Sequence, residues 1–117
     1  MAEFHLSATT SGHLEELVTR GAVRSSVDFV RLAIAVGLAQ DHRVALPSAH
    51  PFRDLAALDP QRTFTVIVAT RDLGCADDES VARALEQYAE AGARELLSRL
   101  DGGGLDYYGL YRELTTE

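Results

Sequence analysis

From Asp28 to Gln40 the chain carries only two charged residues, Asp28 and Arg31. Val27, Val30, Ile34 and Leu38 recur at three- and four-residue steps, the spacing of one helical face. Phe29, Leu32, Ala33 and Val36 widen that face beyond an ordinary amphipathic stripe. A helix apolar nearly all round must be covered on most of its sides. A chain of 117 residues has little interior in which to do this. The expected cover is therefore the same helix of a second copy, with Val27, Val30, Ile34 and Leu38 in a dimer interface. Ser25 followed by Asp28 has the spacing of a capping box and predicts the start of this helix at Ser25-Ser26.

Around that helix the remaining elements read in order. Glu3 to Ala8 alternates polar and apolar residues, with Phe4 and Leu6 on one side, as in a half-buried strand. A short helix is expected from about Ser11 to Arg20, with Leu14, Leu17 and Val18 as its stripe and Gly21 just past its end. Residues 46–63 hold all three prolines, Pro47, Pro51 and Pro60, and read as a connector. Within it Phe52, Leu55 and Leu58 fit a turn and a half of amphipathic helix. Residues 64–70 are ambiguous. Their β-branched side chains favour a strand, whereas Asp59-Pro60 ahead of them favours a helix start. Residues 79–100 are expected to be helical, with Val81, Leu85, Tyr88, Ala89, Gly92, Leu96 and Leu100 facing inward. Gly102-Gly103-Gly104 ends that helix, and Leu105 to Leu114 is a further amphipathic segment with Tyr108 and Tyr111. The fold class is thus mainly α, in three parts: residues 1–45, the connector 46–63, and an acidic helical part 64–117.

The net charge is −7 and all eleven cations are arginine. Residues 1–45 carry five acids and four arginines, so nearly all of the negative charge lies in the second half. An acidic second half repels nucleic acid, and any DNA contact belongs to the first half. No apolar run approaches the roughly 20 residues of a membrane span. Met1 to His5 lacks the basic start and long apolar core of a secretory signal. A single Cys75 leaves no internal disulfide and no cysteine-based zinc site. These features predict a cytoplasmic protein that does not engage a membrane.

Chemistry-bearing residues are sparse. The four histidines, His5, His13, His42 and His50, have no second ligand at the spacing of a helical zinc site, so no metal or cofactor is expected. Cys75 lies next to Asp77 and Asp78, which disfavour a thiolate. Asp77-Asp78-Glu79 reads as acids favoured at a helix N-terminus. The glycine run lacks the lysine and hydroxyl residue of a phosphate-binding loop. Tyr107, Tyr108 and Tyr111 fit docking of the last segment onto the core. No catalytic constellation is visible, and a non-enzymatic role is expected.

A strand, a short helix, a Gly21 turn and a serine-capped apolar helix follow one another over residues 3–40. That order resembles a ribbon-helix-helix domain, carried by Phe4, Leu6, Leu14, Leu17, Gly21, Ser25-Ser26 and Val30-Arg31-Leu32-Ala33. The resemblance implies an interlocked dimer in which Phe4 and Leu6 join the interface as two strands form one ribbon. It also implies base-reading positions at Glu3, His5 and Ser7, with Arg24, Ser25 and Ser26 at phosphate. The whole-chain layout faintly resembles the small E subunit of bacterial DNA phosphorothioation systems, which implies an oligomer linked to defence against foreign DNA. Two readings follow. The first is an oligomerising accessory subunit in a DNA-related or phage-defence system, with a larger protein partner met through residues 80–114. The second is a DNA-binding repressor or antitoxin whose acidic half engages a partner protein. The acid at Glu3 weighs toward the first.

Overall fold

Helix α2 spans Ser26–Gln40 in the computed structural model, which describes residues 2–71 and 77–101. Ser25 caps it, its hydroxyl accepting from the Asp28 amide at 3.0 Å. At the other end Asp41 adopts the left-handed conformation at φ 50. The His42 amide there reaches back to the Gly37 carbonyl at 3.0 Å, closing the last turn. The other elements are β1 (Glu3–Leu6), α1 (Ala8–Thr19), β2 (His50–Asp54), α3 (Leu55–Leu58), α4 (Thr63–Arg71) and α5 (Asp78–Asp101). The chain is mainly α, with one two-stranded antiparallel sheet.

The cover for α2 is α5 of the same chain, and the two form the most extensive contact between elements. Val30, Ile34 and Leu38, together with Phe4 and Leu6, are buried within one chain, and Val27 is half-buried against the same core. Val27, Val30, Ile34 and Leu38 are expected in a dimer interface if a short chain lacks the interior, and Phe4 and Leu6 if two chains share a ribbon. The interior exists because the helices meet at glycine. A Cβ added at Gly37 would lie 2.1 Å from the Tyr88 carbonyl oxygen, and one added at Gly92 would lie 1.8 Å from that of Ala33. Backbone touches backbone at both points, so a thin helix pair buries large side chains on either flank. The C-terminal end of α2 is latched to its surroundings as well. Arg43 lies over the Tyr88 ring at 5.3 Å, and Arg71 donates to the Leu38 carbonyl at 2.8 Å.

Helix α1 begins three residues earlier than its sequence pattern suggests. Ser7 is its cap, accepting from the Thr10 amide at 3.2 Å. Gly21, at φ 75, closes α1 through Gly21 to Val18 and Ala22 to Leu17 amide–carbonyl bonds.

The strand alternation holds in β1, with Phe4 and Leu6 inward. Its strand partner is β2 of the same chain, antiparallel, with an irregularity between Phe4 and His5. The other edge of β1 is closed by α5. The His5 amide donates to Glu86 Oε2 at 2.7 Å, and the Glu3 carbonyl accepts from the Arg83 guanidinium. A ribbon shared between two chains would need one of those edges.

The connector is part of the fold, since residues 46–63 supply β2 and α3. Phe52 sits in the strand, and the helical turn begins only at Leu55. Residues 64–70 are helical, within α4, and not a strand. Asp59, itself buried, accepts from the Phe64 and Thr65 amides at 3.2 and 2.8 Å and from the Thr65 hydroxyl at 2.7 Å. Those bonds satisfy first-turn donors that strand propensity ignores. Burial follows the helical period too: Thr65 and Val68 are inside, and Val66 is 60% exposed. No described helix is long and apolar enough to cross a membrane. Cys75, Leu105 to Leu114 with Tyr107, Tyr108 and Tyr111, and the Gly102–Gly104 run lie outside the described residues, as does the end of the expected partner surface 80–114.

Candidate functional site

Glu86 and Glu90 lie one turn apart on α5 and so share a face. Both are buried, at 5% and 3% exposure. They meet the polar side chains of the N-terminal segment and form the densest polar constellation among the described residues. Glu90 takes the Ser7 hydroxyl at 3.1 and 3.0 Å on its two oxygens and the Thr10 hydroxyl at 3.0 Å. Arg94 reaches it from the solvent side at 3.4 Å. Glu86 holds the amide and the Nδ1 of His5, both at 2.7 Å, and pairs with Arg83 at 3.1 Å. His5 Nε2 meets Glu3 at 3.0 Å.

The local sequence explains this placement. β1 ends as Ser7 turns into the cap of α1, which puts Ser7 and Thr10 at the bottom of the first turn. Ala82, Ala89 and Ala93 on α5 are small enough to bring that helix close. A buried carboxylate is tolerable only when its lone pairs are filled by donors, and here hydroxyls and an amide supply them. The donors come from the chain itself. Neither ring nitrogen of His5 is open to a substrate proton, and the Ser7 hydroxyl donates to a carboxylate and accepts from an amide. The arrangement works chemically as a polar lock between α5 and the N-terminal segment.

Glu86 and Glu90 fall outside the inward-facing set that the sequence pattern gives for this helix. Asp77, Asp78 and Glu79 are exposed and Glu95 is half-exposed, but Glu86 and Glu90 point in. The missed signal is the run of alanine and glycine on several faces of α5, from Ala82 to Ala93, which marks close packing on more than one side. Asp77 behaves as a helix-start acid should. It accepts from the Ser80 amide at 2.7 Å, and the Ser80 amide and hydroxyl together hold its carboxyl below the usual range.

The residues expected to meet DNA are dispersed. Glu3 and Arg24 are exposed, Ser25 and Ser26 are half-buried, and His5 is held as described. Ser7 is fully buried and faces Glu90, so it cannot be a base-reading side chain in this fold. The cause is the early start of α1, which ends the strand alternation before Ser7. No group of three histidine, cysteine or acidic residues among the described residues is placed to hold a metal ion. A groove of about 460 Å³ beside Glu90 is lined by Thr9, Thr10, His13, Pro47, Arg94 and Leu97. A second, of about 470 Å³, runs between α1 and β2, with Leu14, Val18, Ser26, Phe52 and Arg53 in its walls. The chain matches no protein-family model, no curated protein and no solved structure.

Proposed function

We propose that this chain is a non-enzymatic, self-associating subunit that acts by protein contact. One observation carries the reading: both edges of β1 are occupied from within the chain, while β2, exposed except at half-buried Phe52, has a strand on one side only. A free strand edge is a template for pairing with another chain. The polar lock supports the same reading, because the residues best equipped for chemistry are engaged in holding α5 to the N-terminal segment. The setting, an accessory role in a DNA-related or phage-defence system, rests on the sequence resemblance alone. Light scattering over a concentration series tests the reading. A dimer or larger species is expected at micromolar concentration, and a monomer throughout overturns it.

A second reading, a DNA-binding repressor or antitoxin, has one observation in its favour. Arg24 is exposed immediately before the cap of α2, and Ser26 shares a groove with Arg53. Titration with duplex DNA separates the two readings. A DNA binder loses affinity steeply as salt rises, by several decades between about 50 and 200 mM for a large phosphate footprint. The subunit reading expects no salt-dependent binding.

A further inference from the structure

We draw no further inference here: the strongest candidate, the groove of about 460 Å³ beside Glu90 between α1 and the last turns of α5, opens on a carboxylate that belongs to the polar lock already described, and nothing in the structure shows what covers its walls.

Discussion

Helices α2 and α5 reverse the roles that their compositions suggest. α2 is apolar on nearly every side, yet Asp28, Arg31 and Ala39 face solvent and Leu32 and Ala35 are only partly covered. α5 is rich in charge, yet from Val81 to Ala93 only Arg83 and Gln87 escape full burial. α5 is therefore the element around which the molecule is packed, with α2, β1, α1 and α4 all resting on it. Hydrophobic content tells which surface gains from burial. Side-chain size tells how near another backbone can come, and here size decided which helix is central.

The largest effect that would sharpen this comparison is on α2. Ile34 is completely buried, and Ile34→Asp places an unpaired carboxylate in the apolar core at a cost of several kcal/mol. Against a total stability of about 5–15 kcal/mol that is enough to unfold the chain. Loss of the helical circular dichroism signal is expected. A folded variant of native helicity would show that Ile34 is not where the α2–α5 packing puts it.

The next effect belongs to the crossing. Gly92→Ala must push the helices apart, because its methyl would overlap the Ala33 carbonyl and neither backbone can step aside. A loss of about 3 kcal/mol or more in urea unfolding is expected. Ala39→Val on the exposed side of α2 should cost less than about 0.5 kcal/mol. Equal effects at the two positions would break the comparison, since close approach would then have no special cost.

Removing the lock on α5 comes third. Glu90→Ala leaves the buried Ser7 and Thr10 hydroxyls without their acceptor and should cost about 2–3 kcal/mol. Glu90→Gln keeps an acceptor and should lose less. If Glu90→Ala is as stable as the native chain, the Ser7 and Thr10 bonds to Glu90 do not hold α5 in place.

The smallest effect is at the start of α5. The Asp77 carboxyl titrates below its ordinary value because Ser80 stabilises its charged form. A carboxyl lowered in the folded state adds stability above its unfolded pKa, and the gain disappears as pH falls through the folded value. Asp77→Ala should therefore melt slightly below the native chain at neutral pH, with the gap closing in acid beneath the usual carboxylate range. A gap that does not depend on pH would remove Asp77 as the cap.

Local features were largely legible from the residues. Ser25 caps α2, Gly21 closes α1, and Phe4 and Leu6 alternate inward, because each depends on neighbours within a few positions. The candidate site was not legible. Ser7 looked like an outward strand residue and Glu86 and Glu90 like solvent-facing acids, and only their meeting explains all three. Ser7 and Glu90 stand 83 positions apart in the chain, too far for any local pattern to register.

The sequence by itself determined where α2 begins and where α1 ends, which sides of α2 need cover, and that the chain is mainly helical. Those outcomes follow from backbone hydrogen bonding and hydrophobic period, both of which act over a turn or two. The tertiary structure decided what provides the cover. Gly37 against Tyr88 and Gly92 against Ala33 let α5 approach closely enough to bury α2 inside one chain. Packing of α4 on α5 decided for the helical reading of residues 64–70, which the local Asp59 signal had left open beside a strand. Pairing with β1 turned a proline-marked connector into β2. In each case a contact between separated segments outweighed a local preference worth less than the burial or hydrogen bonds gained.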